Sequence, residues 1–370
     1  MTKNSDKNIN RLKNYNALQF KKTQDMLSGK NNFFYVSLVL ISVVTIIVVW
    51  LIESNTYGVD TKVFDGFNAR FVLLILSTMI LIALLNIVGD YFVICRRLKV
   101  RKFFSVVFAS LTQSYYNFFQ IWDRNGNRVG GEYLKVSGVD AEFSKNMTAS
   151  KTVLSKVSFV IYSIIMVILG SIFAFRTVNV FLYVLGVASL IVLLTIVLSI
   201  LYFERFKDKY LVFVGKLCKF LYKLKLIKDY ESLYNNLVSK FMYYGTAIKF
   251  DKLYVVMQII FGCITKFLKH LTLFFILCSF NVGSGEIFIE VLFKCVILDL
   301  IIDILPIPNG VLLYELLFLT LFRETFISGY VLYGLVGYRF VTYLSIVITF
   351  AIGYFVGIGK KLKEIKLIKY

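Results

Sequence analysis

The run Ile287–Gly310, IFIEVLFKCVILDLIIDILPIPNG, decides how this chain must fold. Its first part, Ile287–Leu305, is almost wholly apolar yet carries Glu290, Lys294, Asp299 and Asp303. It is then cut by Pro306 and Pro308, the only two prolines among 370 residues, with Gly310 just beyond. Proline lacks the backbone N–H and clashes with the preceding turn, so a Pro-x-Pro pair stops a helix. In water such a stop is an ordinary turn. In a bilayer a broken helix frees backbone groups that lipid cannot satisfy, so it is tolerated only within protein or around a cavity.

The rest of the chain says that the solvent is lipid. Hydrophobic residues make up 58% of it, and the mean hydropathy is +0.74. Apolar runs at Phe33–Ile52, Phe71–Cys95, Val153–Phe175, Val178–Phe203 and Tyr254–Phe280 reach the ~20 residues that cross a membrane. Ile287–Leu305 and the stretch from Ile327 to Ile358 follow. The expected fold is an all-α polytopic membrane protein of about eight transmembrane helices plus re-entrant or broken helices. Some thirty polar residues precede the first run, which no small-residue cleavage site follows, so a cleaved signal peptide is not expected.

The net charge of +20 comes from 42 Lys+Arg against 22 Asp+Glu. Its distribution argues against nucleic acid. Basic residues gather at the ends of apolar runs: in residues 1–32, at 96–102, through 204–252 and in 359–370. Cytoplasmic loops carry this bias, and basic flanks attract anionic inner-leaflet lipids. Both termini are therefore expected in the cytoplasm of a multi-pass cell-membrane protein. The membrane domain spans 33–358, with a first half at 33–203, a cytoplasmic connector at 204–252 and a second half at 253–358. Lysines alternating with aromatics at helical spacing in Tyr210–Tyr244 predict an amphipathic helix pair. Each half has paired spans and one glycine-containing break, which suggests an internal duplication.

Two regions do not read as simple spans. Phe103–Trp122 is only moderately apolar, and DRNGNRVGGEYLKVSGVDAEF (123–143) is rich in glycine and charge, so 103–150 is predicted as a re-entrant helix pair. Val311–Phe322 would reach ~18 Å, too short to cross alone.

One histidine, His270, leaves no zinc site or histidine-based triad to assemble, and the five cysteines lack metal spacing. No GxxxxGK[ST] segment is present, so neither ATP use nor a cofactor is expected. Intramembrane ionisable residues are costly and become the functional candidates. Asp299 and Asp303 share a helix face ahead of the break. Glu315 follows it, and Arg339 lies within the last long run beside Tyr343. Arg339 suits a lipid phosphate because its planar fork donates two hydrogen bonds; the alternative is a buried Glu315–Arg339 pair that fixes packing. In the first half Arg128, Glu132 and Lys135 flank Gly130 and Gly131, and a merely wet loop is the alternative there. Lys266, Lys269 and His270 form one polar stripe, fit for a headgroup-facing groove or for snorkelling. Glu290 and Lys294 are an i, i+4 pair.

Three motifs carry a family resemblance. NRVGGEYLKVSGV (127–139), LPIPNGVLLYELLF (305–318) and YRFVTYLSIVITFAIG (338–353) resemble, in order and spacing, segments of the lysylphosphatidylglycerol synthase transmembrane domain, a flippase-like family. No proline precedes Gly130-Gly131, and Val311 stands where the family's second loop glycine would be. The resemblance implies a lipid translocase whose path is lined by Arg128, Gly130, Gly131, Glu132, Lys135, Asp299, Asp303, Pro306, Pro308, Gly310, Glu315, Arg339 and Tyr343. Its partners would be lipids with anionic, aminoacylated or glycosylated headgroups, in a homo-oligomer or beside a cell-envelope enzyme. The family's cytosolic aminoacyltransferase domain has no counterpart within these residues, so enzymatic activity is not expected. Two other readings stay open: a non-transporting lipid-binding accessory protein, and a transferase acting on a lipid-linked sugar with Asp299 or Asp303 as base.

Overall fold

The computed structural model describes residues 40, 43–52, 55, 68–98, 103–118, 126–174, 177–223, 229–247, 252–280, 285–304, 313–323, 325 and 330–353. Among them there is no strand. We number the helices α1 (Val43–Ile52), α2 (Arg70–Leu98), α3 (Phe103–Phe118), α4 (Gly126–Val136), α5 (Ala141–Phe173) and α6 (Val180–Leu201). They continue as α7 (Phe203–Lys223), α8 (Tyr230–Ala247), α9 (Lys252–Ser279), α10 (Phe288–Ile304), α11 (Leu313–Phe322) and α12 (Tyr330–Gly353). Four stretches are long and apolar enough to cross a membrane: Arg70–Cys95, Ala141–Phe173, Val180–Leu201 and Lys252–Ser279. The chain is an all-α membrane protein.

Its polarity is arranged for lipid. Leu73, Ile80, Ile172 and Phe181 are 61–71% exposed on the outside of α2, α5 and α6, while Asp90, Lys151, His270, Lys294, Glu315 and Arg339 are buried within. A soluble protein could not expose such an apolar belt and keep those charges inside. At the centre stands α10, packed by α5, α6, α9 and α11. Every side chain from Val291 to Leu298 is buried, so no face of α10 in that stretch meets lipid. Glycines on its neighbours allow the approach: Gly170 of α5 lies against the ring of Phe293, and Gly186 of α6 against Ile297.

The region 103–150 differs from a simple re-entrant pair. Helices α3 and α4 do pack on one another, but residues 141–150 belong to α5, which starts twelve residues before the apolar run at Val153. The local chemistry explains the boundary. Gly138 adopts φ 81°, Val139 N–H donates to Leu134 C=O and Gly138 N–H to Lys135 C=O, a Schellman stop for α4. Asp140 then caps α5 by accepting from the Phe143 N–H at 2.7 Å. The polar first turns of α5 face α4, which hides them from a hydropathy reading. Ser144 donates to the Gly131 carbonyl, and Gly131 lies against Thr148.

Helices α7 and α8 pair through Val214, Cys218 and Val238, with Tyr210 stacked on Phe241 at 3.8 Å. Residues 1–32, 305–312 and 359–370, with Pro306, Pro308 and Gly310, lie outside the described residues.

Two glycine substitutions should separate packing from helix propensity. Gly170→Ala puts a methyl into the Phe293 ring and should lower stability by roughly 1–3 kcal/mol. Gly215→Ala, whose nearest neighbour is Tyr234 Cε2 at 3.7 Å, should raise it by about 0.5–1 kcal/mol. The unfolding midpoint in detergent reads both.

Candidate functional site

Seen from its charges, the protein interior holds a connected polar band between α2, α3, α5, α9 and α10. At one end Lys151 of α5 donates from Nζ to Asp90 Oδ2 of α2 at 2.6 Å and to Gln113 Oε1 of α3 at 3.1 Å. All three are buried, and Asp90 Oδ1 has no hydrogen-bond partner among the described residues. Gly130 of α4 makes the geometry possible. A methyl there would stand 3.0 Å from the Ala109 carbonyl and 3.2 Å from Gln113 Cβ.

Further along α5, Lys156 binds both carboxylate oxygens of Asp303, with Oδ2 at 2.6 Å. Asp303 is next to the last residue of α10. Beside them Lys266 of α9 lies over the Phe159 ring at 4.5 Å and, among the described residues, makes no ion pair. One turn on, Lys269 Nζ reaches Asp299 Oδ2 at 2.8 Å, and His270 Nε2 reaches the same oxygen at 3.2 Å. The other imidazole nitrogen, Nδ1, is 3.1 Å from the Tyr162 hydroxyl.

A cavity of about 270 Å³ opens along this band, lined by Asn86, Gln113, Lys151, Lys156, Lys266 and Asp303 among others. Its volume is close to the small end of ligand sites. The band holds four lysines, at 151, 156, 266 and 269, against three carboxylates, at 90, 299 and 303, so it carries an excess positive charge. Lys266 stands at the middle of α9, about 21 Å from either end. No family, curated protein or solved structure matches the chain. Among the described residues no three His, Cys, Asp or Glu side chains gather as metal ligands.

The candidate residues fall into separate places. Asp299 and Asp303 join the polar band, each already held by a cation. Glu315 and Arg339 meet instead in the apolar core between α11 and α12. Arg339 Nε donates to Glu315 Oε1 at 2.8 Å, with Nη2 at 2.7 Å from the same oxygen. The guanidinium lies 4.0 Å over the Tyr314 ring, which stacks on Tyr338. Neither residue lines the cavity. Gly130 and Gly131 serve helix contacts. Glu132 and Lys135 are half-buried on α4 and do not line the cavity either. The side chains of Arg128 and Tyr343 lie outside the described residues. Glu290 and Lys294 pair at 2.9 Å, and Thr325 bonds both.

Sequence reasoning missed Asp90, Gln113, Lys151 and Lys156. Asp90 did carry a signal, as the single carboxylate within the run Phe71–Cys95. Lys156 too lay within an apolar run, Val153–Phe175, whereas Gln113 and Lys151 lay in more polar sequence.

The Glu315–Arg339 pair gives a direct test. Glu315→Leu strands a buried guanidinium and should cost roughly 3–5 kcal/mol. Adding Arg339→Met should recover much of that loss, because the apolar replacement leaves no uncompensated charge. Unfolding midpoints of the two singles and the double in detergent measure the coupling.

Proposed function

We propose that this protein moves a lipid with an anionic headgroup between the leaflets of a bacterial cell membrane, crossing it about eight times with both termini in the cytoplasm. The observation that carries this reading is the cationic cavity halfway along α9, where Lys266 makes no direct ion pair among the described residues. A charged headgroup crossing hydrocarbon loses its hydration at a cost of many kcal/mol. A polar cavity at mid-depth returns part of that solvation, while the acyl tails stay among the exposed Leu, Ile and Phe side chains of the outer belt. Lysine ammonium groups suit a phosphate or phosphodiester as compact point charges with three donors each.

In this scheme Lys156 and Asp303 hold each other until a headgroup phosphate competes for Lys156. Lys151, fixed by Asp90 and Gln113, sets the positive end of the cavity. The motif resemblance to the lysylphosphatidylglycerol synthase membrane domain favours the same lipid class. Arg339 contributes to this scheme as a packing residue, held in the core by Glu315.

Exchange of labelled lipids between leaflets of proteoliposomes tests the reading, with anionic, zwitterionic and glycosylated lipids scored by an impermeant quencher. Anionic lipid should exchange in the wild type. Lys266→Gln should slow it about tenfold or more, the rate equivalent of one charge-assisted hydrogen bond. No exchange above empty liposomes for any lipid sinks the transport reading in favour of a lipid-binding accessory role.

A further inference from the structure

The network next to the cavity contains a group that nothing above uses. His270, the only histidine of the chain, is 2% exposed and contacts Tyr162 and Asp299 through its two nitrogens. Its neutral form has one arrangement that satisfies both contacts. Nε2–H donates to the Asp299 carboxylate, which can only accept, and Nδ1 accepts from the Tyr162 hydroxyl. The opposite tautomer would set a lone pair against the carboxylate.

The surroundings give a second proton somewhere to go. From α10 the site faces Asp299 and Cys295, from α5 Tyr162, and from α12 Tyr338, which interacts with Lys269 and Asp299, while Lys156 of α5 is held by Asp303. Its own helix adds Lys266 and Lys269. Thr78 of α2 bonds Thr272 nearby, and the one carboxylate of α2, Asp90, is held by Lys151. Asp299 is thus the single carboxylate bonded to the imidazole, and it is shared with Lys269 through the same oxygen. The Lys269 side chain is 43% exposed, against 2% for His270.

We propose that His270 is a proton-binding site coupled to anion binding in the adjacent cavity, so that a proton and an anionic headgroup are taken up together. This rests on the reading of the cavity as a headgroup path. With His270 neutral, Lys269 neutralises Asp299. When Nδ1 takes a proton, the Tyr162 hydroxyl turns from donor to acceptor. Imidazolium and ammonium then share one carboxylate, leaving one uncompensated positive charge. Lys269 can swing toward Lys266, one turn away, and an anion entering there offsets the excess. Each ligand therefore strengthens the binding of the other by the same factor.

The test uses the full chain in phosphatidylcholine nanodiscs and dihexanoyl-phosphatidylglycerol as the probe. The phosphodiester keeps its single charge across the range, so the lipid itself does not titrate. Binding should be about fivefold tighter or more at about pH 5.5 than at about pH 7.5, and His270→Gln should flatten the difference. Because that variant could fold poorly, the wild type supplies a second readout. Its single imidazole NMR signal should move to the imidazolium position as lipid is added at about pH 6.5. Equal binding at both pH values, a His270→Gln protein that keeps the pH dependence, or an unmoved imidazole signal overturns the coupling and leaves the headgroup path standing. No binding at either pH overturns both.

Discussion

Helix α10 is too short to match its neighbour and too charged to stand alone. It runs 17 residues, about 25 Å, beside the 28 residues and about 42 Å of α9. Along that length it carries Glu290, Lys294, Asp299 and Asp303, which lipid cannot solvate. Every one of them is matched: Glu290 and Lys294 by each other and Thr325, Asp299 by Lys269 and His270, Asp303 by Lys156. These matches tie α10 to α9 and α5 in one register. A slip of one turn, ~5.4 Å, would separate every interhelical pair and leave buried charges whose cost runs to several kcal/mol each. Asp303, one residue from the end of α10, lines the cavity together with Lys156 and Lys266.

The remaining packing follows from the absence of a hydrophobic drive between helices in lipid, where tails are as apolar as leucine. Close contact has to come from shape. Gly170 admits Phe293, Gly186 admits Ile297, Gly262 lies against Ser158, and Gly334 lies against Leu277. Bulky side chains of α10 therefore fill notches in α5 and α6, while α9 and α12 meet in the same way. The glycines and the ion pairs answer different needs. The first bring helices close enough for dispersion, and the second fix which residues face each other.

Much of this was legible one residue at a time and little of it pairwise. The apolar runs at 71–95, 178–203 and 254–280 correspond to helices because hydropathy is a local property. The stripe of Lys266, Lys269 and His270 was visible from i, i+3, i+4 spacing alone, and so was the Glu290–Lys294 pair. What faced the stripe was not, since Lys156–Asp303 and Lys151–Asp90 join residues far apart in the chain. The start of α5 was misread for the same reason: Ser144, Thr148 and Lys151 look like loop residues until α4 and α3 are placed against them. Glu315 and Arg339 were singled out as ionisable groups in apolar runs, and both are buried. Their pairing was one of two readings the sequence left open, and spacing could not place it within a stack of tyrosines.

That contrast separates two uses of charge in a membrane. Glu315 and Arg339 form a pair of zero net charge, buried among Tyr314, Tyr338 and Phe318, with Nε donating to Glu315 Oε1. With no excess charge, the pair serves orientation of α11 against α12, although Glu315 Oε2, like Asp90 Oδ1, has no hydrogen-bond partner among the described residues. The band along the cavity differs in its charge: its four lysines exceed its three carboxylates, and Lys269 and His270 divide a single oxygen of Asp299. Such an arrangement is not the lowest-energy way to hold helices together, since one more carboxylate would neutralise it. On the proposed reading an anion entering the band offsets that excess, whereas the Glu315–Arg339 pair has no net charge to offset.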